Sequence, residues 1–221
     1  MRAVAAVPGC GLLAAALLAL AAPSGAELLY ELPAAGSYEL PVIDRVGEYE
    51  LLDVEGDRSP LLGLEPGQCA VVAFVYLSCV DATGCPLALA TLQRFDRALA
   101  GREDLAGRVR IVTVSFDPKR DGPAQMGHLR RHMSPRSDWR FLTAANPREL
   151  EPVLRDYGQD AVPLVTRDGA SMGLMRHVAK VFLVDDGGAV RNVYSSGFLD
   201  QRLLLRDVET LLLTDAAAPR P

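Results

Sequence analysis

Residues 69–77, Cys69-Ala70-Val71-Val72-Ala73-Phe74-Val75-Tyr76-Leu77, form an unbroken apolar run rich in β-branched and aromatic side chains. No polar residue alternates with them, so both faces must be covered, and the segment reads as the central strand of a buried sheet. Cys79 follows after one serine, and Cys85 after five further residues, Val80-Asp81-Ala82-Thr83-Gly84. Residues 86–100 then carry Leu87, Leu89, Ala90, Leu92, Phe95 and Leu99 at helical spacing. Pro86 suits the first helical position, where a missing N–H costs little. The two cysteines therefore occupy a strand-to-helix turn at the carboxyl end of a central strand, where open α/β sheets place their chemistry.

The pattern continues outward on both sides. Residues 109–116, VRIVTVSF, read as a second buried strand, 123–132 as a helix, 139–143 as a short strand and 147–157 as another helix. Residues 158–176 read as loop, with Pro163, Asp168-Gly169 and Gly173 as breakers. Strands at 178–184 and 189–194 flank Asp185-Asp186-Gly187-Gly188, a hairpin signal, and 203–213 close the chain as a helix. Upstream, residues 48–53 alternate in part and lead into a turn at Glu55-Gly56-Asp57. Strands alternating with helices, then a hairpin and a helix, predict an α/β, thioredoxin-like fold: a central mixed sheet flanked by helices.

The chain has 221 residues, 49% hydrophobic and 23% charged, which suits one folded domain and excludes a disordered chain. Its net charge is -5 and no segment is strongly basic, so nucleic acid is not an expected partner. Arg2, an apolar run over 11–22 and Pro23-Ser24-Gly25-Ala26 read as an export signal covering residues 1–26, cleaved after Ala26. The alternative is an N-terminal anchor, since 3–22 is apolar throughout; Pro8-Gly9 and the weak hydrophobicity of alanine favour cleavage. Residues 27–47 form a lead-in without periodicity, 48–214 the domain, and 215–221 a disordered Ala/Pro tail. The domain is expected to be periplasmic or otherwise exported, soluble after cleavage and membrane-anchored if the segment is retained.

Cys10 leaves with the export signal, so three cysteines remain, Cys69, Cys79 and Cys85. In an oxidising compartment an odd number implies one pair and one left over. Cys69 starts the buried strand and reads as a small hydrophobe. Cys79 and Cys85 are close enough along the chain for their sulfurs to meet, and Cys85 borders a helix N-terminus whose partial charge favours a thiolate. A purely structural bridge across so short a loop recovers little chain entropy. A structural zinc site lacks a second cysteine pair.

Other candidates have plainer readings. His128 and His132 share one face of a helix at i, i+4, but Arg130, Arg131 and Arg136 surround them and disfavour a cation. Met172 and Met175 carry soft thioethers that could ligate a soft metal, yet loop packing explains them. Asp117 and Asp121 either orient the site or, for Asp121, cap the next helix; the structural role is the simpler.

Four segments in order resemble the Sco/SenC family. Phe74-Val75-Tyr76-Leu77-Ser78-Cys79 with Gly84-Cys85-Pro86 resembles its copper-site segment. Val114-Ser115-Phe116-Asp117-Pro118-Lys119-Arg120-Asp121-Gly122-Pro123 resembles its strand followed by Asp-Pro, Phe141-Leu142-Thr143 its short third strand, and His177-Val178-Ala179-Lys180-Val181-Phe182-Leu183-Val184-Asp185 its His-led strand. The resemblance implies two cysteines and one histidine around a single copper, and work on the binuclear copper site (CuA) of cytochrome c oxidase. Carried over, the metal ligands are Cys79, Cys85 and His177, with one Cu(I) or Cu(II) per chain, and Cys79 and Cys85 are also the redox pair. The family usually has three residues between its cysteines, where this chain has five. The function so implied is a copper metallochaperone rather than a turnover enzyme, with a thiol–disulfide oxidoreductase that keeps a client's copper-ligand cysteines reduced as the alternative. A peroxidase would need a cation beside its thiolate, and no Arg or Lys lies between the two cysteines. The implied partners are cytochrome c oxidase subunit II as client and a thioredoxin-like reductant.

Overall fold

The computed structural model describes residues 31–217, with side chains to 214. The expected export signal, the start of the lead-in and residues 218–221 lie outside them. The elements, in chain order, are β1 (Asp44–Arg45), β2 (Glu50–Leu52), β3 (Arg58–Pro60), β4 (Cys69–Val75), α1 (Cys85–Leu99), β5 (Val109–Ser115), α2 (Pro123–Met133), β6 (Asp138–Leu142), α3 (Pro147–Asp156), β7 (Val162–Val165), β8 (Ser171–Arg176), β9 (Lys180–Asp185), β10 (Ala189–Ser195) and α4 (Gln201–Ala217).

Six strands make the main sheet in the order β1-β10-β9-β4-β5-β6. β4, β5 and β6 run parallel, while β9 is antiparallel to β4 and β10 to β9. All seven residues of β4 are buried, as its unbroken apolar run requires. Alternate side chains feed two cores. Cys69, Val71 and Ala73 face Leu92 and Phe95 of α1, Met126 of α2 and Leu204 and Val208 of α4. Ala70, Val72 and Phe74 join Leu150 and Val153 of α3 and Leu51 of β2 on the other side. Each fully buried Val, Leu or Phe contributes about 1.5–3 kcal/mol, so a charge placed at Val72 would disrupt the core shared with α3. This is the mixed sheet flanked by helices that the sequence predicts.

The expected turn between β9 and β10 is present. Asp185 Oδ1 accepts from Gly187 N at 3.0 Å and Ala189 N at 2.8 Å, and Gly188 takes φ +74°. The structure differs from, or adds to, the expectations at four points. Residues 158–176 are not all loop: β7 and β8 form a two-stranded antiparallel hairpin. All four β7 residues are exposed and one is Pro163, so no inward-outward alternation marks the strand. The lead-in is tied down in its described part: β1 pairs with β10, Tyr38 donates to Asp207 at 2.5 Å and Arg191 Nη2 to the Leu40 carbonyl at 2.7 Å. Asp121 does not cap α2. The N-cap position is Gly122, without a side-chain cap bond, and the Asp121 carboxylate points elsewhere. α4 extends to Ala217, three residues into the expected tail.

Candidate metal centre

Cys79 lies just beyond β4, in a loop fixed by its neighbours' polar atoms. The Cys79 N–H donates to the Tyr76 carbonyl at 3.2 Å. The Leu77 N–H donates to Asp121 Oδ2 at 2.9 Å, and Ser115 Oγ donates to the same oxygen at 2.7 Å. Asp121 thus ties the end of β4 to the end of β5. It is buried, and that burial raises its pKa despite the two donors. The spacer then closes as a turn on Asp81, whose carboxylate accepts from Thr83 N at 2.9 Å and Thr83 Oγ1 at 2.8 Å. Gly84 N donates back to the Asp81 carbonyl at 2.9 Å. A Cβ at Gly84 would stand 3.3 Å from that carbonyl and 3.4 Å from Cys79 Sγ, so the turn has little room for a side chain.

The helix starts at Cys85, one residue before the expected position. Its thiol is buried. Burial pushes the thiol up to about 12, with the neighbouring Cys79 sulfur adding to the rise. The expected thiolate at the helix N-terminus is therefore corrected: desolvation outweighs the helix's partial charge.

His177 arrives from the connection between β8 and β9. Its Nε2 stands 3.4 Å from Cys85 Sγ and 3.9 Å from Cys79 Sγ. Nδ1 donates to the Met175 carbonyl at 3.3 Å, which leaves the Nε2 lone pair facing the sulfurs. The ring sits edge-on to Tyr76 and tilted against Phe116, each with centroids 5.2 Å apart. The three donor atoms all lie within 4.8 Å of one another, and theirs is the one such group among the described residues. The three cysteines among the described residues are present as thiols, and Cys69 is wholly buried in β4.

The remaining candidates separate from this site. His128 Nδ1 is paired with Arg131 Nη2 at 2.8 Å on an exposed face of α2, and His132 is exposed. Met172 is half exposed on the hairpin, and Met175 is partly buried against the core with its backbone committed to Tyr76 and His177. Asp117 pairs with Arg120 at 2.9 Å, and Arg120 reaches Ser171 Oγ and the Gly173 carbonyl of β8 at 3.4 Å. Sequence reasoning left Tyr76 and Phe116 as core residues only; the one available signal was a hydroxyl-bearing ring three positions before Cys79. A cleft of about 920 Å³ opens beside the site, with Phe116 and Met175 in its wall.

A family model described as SCO1/SenC matches residues 41–213. The chain belongs to the SCO1/SenC family. The match spans the sheet, the cysteine loop and His177, so the family's domain is the domain described above. Solved Sco structures share the fold. Copper-bound ScoI from Arabidopsis thaliana is 22% identical, with a TM-score of 0.62, covering 76% of this chain and 98% of its own. A SCO1/SenC family lipoprotein from Bacillus anthracis is 20% identical, with a TM-score of 0.62, covering 77% and 96%. BsSco, described through a disulfide switch as a member of the Sco family of cytochrome c oxidase assembly proteins, is 21% identical, with a TM-score of 0.59, covering 78% and 95%. At these identities the likeness carries the fold alone. No curated protein is significantly similar in sequence.

Proposed function

We propose that this protein is an exported metallochaperone that takes one copper ion on Cys79, Cys85 and His177 and passes it to a client copper site, CuA on cytochrome c oxidase subunit II. The observation that carries this reading is the convergence of two thiols and an imidazole Nε2 within 4.8 Å. That donor set fits copper: thiolates select soft Cu(I), and imidazole adds the nitrogen that Cu(II) prefers. Three protein donors leave the metal a position open to an incoming client ligand. The Met175 carbonyl keeps the His177 proton on Nδ1, and Cys85 gives up its proton as the metal enters. Leu77, Val80 and Val178, which flank Cys79 and His177 in sequence, are exposed and give the site an apolar rim. Support for the client comes from the family and from the BsSco description; support for export comes from residues 1–26 and the lipoprotein relative. Among the described residues, no helix is long and apolar enough to cross a membrane.

The proximity of the two sulfurs also favours a second reading, a thiol–disulfide reductase that cycles through a Cys79–Cys85 disulfide and draws electrons from a thioredoxin-like partner. Titration of the reduced protein with Cu(I) separates the two. The metallochaperone binds one equivalent, and Cys79→Ser or Cys85→Ser abolishes tight binding, because a hydroxyl supplies neither charge nor softness. Wild-type affinity in either variant would leave only the redox reading.

A further inference from the structure

Tyr76 is one residue in contact with both ligand-bearing segments. It ends the buried strand run, is 4% exposed, and accepts the Cys79 N–H through its own carbonyl at 3.2 Å. Its hydroxyl accepts the Met175 N–H at 3.4 Å. Met175 in turn accepts the His177 Nδ1 proton at 3.3 Å. Met175 stands opposite Pro163 in the hairpin, and a proline has no N–H to occupy that carbonyl. The ring of Tyr76 meets the His177 ring at 88°, edge to face, and lies 5.1 Å from Phe116.

We propose that Tyr76 is a positioning residue: its hydroxyl holds the Met175 peptide so that the Met175 carbonyl fixes the His177 tautomer and aims Nε2 at Cys79 and Cys85. Packing alone would need only the ring. The hydroxyl anchors Met175 by its N–H while Met175 anchors the imidazole by its C=O, so one phenol oxygen governs a ring two residues further on. Outer partners of a ligating histidine act in this way, setting tautomer and orientation. The consequence for copper rests on the metal-site reading above. The consequence for the imidazole does not.

Tyr76→Phe keeps the ring and removes the oxygen. In the reduced, metal-free protein, nitrogen chemical shifts of His177 should report the Nδ1–H tautomer in wild type and a mixed population in the variant. In parallel titrations, the variant should lose about tenfold in Cu(II) affinity, the low end of effects seen for such outer partners, while Cu(I) changes far less. A wild-type tautomer in Tyr76→Phe overturns the proposal. So does an equal loss of both oxidation states, which would mark a general loosening of the site. If wild type itself binds no copper, the metallochaperone reading falls, and the tautomer comparison alone decides the role of Tyr76.

Discussion

Cys85 and Cys79 are six positions apart yet differ in what surrounds their sulfurs. Cys79 is half-buried at the loop surface, whereas Cys85 is 2% exposed under the first turn of α1. Burial holds the Cys85 thiol up at about 12, so it stays protonated across the neutral range and its S–H is available to the His177 Nε2 lone pair. A protonated, enclosed thiol is a poor nucleophile toward stray oxidants and becomes a ligand only when a metal displaces its proton. Iodoacetamide should therefore modify Cys79 first in the reduced apo protein, Cys85 slowly, and Cys69 only after unfolding. The Cys85 rate should keep climbing about tenfold per pH unit beyond the range near 8.5 where an ordinary thiol levels off. Mass analysis of timed digests reads all three sites, and a Cys85 rate that plateaus below pH 9 would refute the assigned environment.

The site is assembled from the ends of β4 and β5 and from the β8–β9 connection, and one buried carboxylate joins the first two. Asp121 Oδ2 receives both the Leu77 N–H and the Ser115 hydroxyl. Asp121→Ala strands both donors, at about 1–3 kcal/mol for each buried group left unsatisfied. The urea midpoint should fall accordingly, and the loop bearing Cys79 should lose its fixed start. Asp121→Asn retains an acceptor oxygen and tests the charge alone. Because burial raises the folded-state pKa of Asp121, its contribution to stability is complete below the ordinary carboxyl value of about 3.9 and declines as pH rises through the raised value. Asparagine has no such decline. The difference in unfolding free energy between Asp121→Asn and wild type should thus shift toward the variant between acid and neutral pH; a difference constant with pH would show that the carboxyl is not perturbed by folding.

At the scale of the molecule, the sheet was legible because burial on both faces leaves its mark in composition: residues 69–77 and 109–116 have no other use for so many branched apolar side chains. The cysteine loop was legible because chemistry at a strand's carboxyl end repeats across α/β sheets. The β7–β8 hairpin was not, since four exposed residues including Pro163 produce no periodic signal. Nor was the Asp121–Leu77 bond, which spans 44 positions and depends on two strands lying parallel. The start of α3 at Pro147 was legible, but the Asn146 side chain that caps it, accepting from Arg148 N and Glu149 N, was not singled out. Yet the long span between ligands has an effect of its own. Cys85 and His177 are 92 positions apart, so on the proposed metal-site reading an ion shared by them would act as a cross-link that closes about half of the described chain into a ring and restrains the loop between them. The segment most restrained is the one entering His177. Trypsin has two exposed targets there, Arg167 at the tip of the hairpin and Arg176 beside the ligand. Loading reduced protein with Cu(I) should slow cleavage after Arg176 while leaving cleavage after Arg167 as an internal clock. Equal rates at Arg176 with and without the ion would mean that cargo and backbone are mechanically independent. A slowed cut would mean that the protein carries its cargo as a clasp, and that handing it on loosens the very connection that held it.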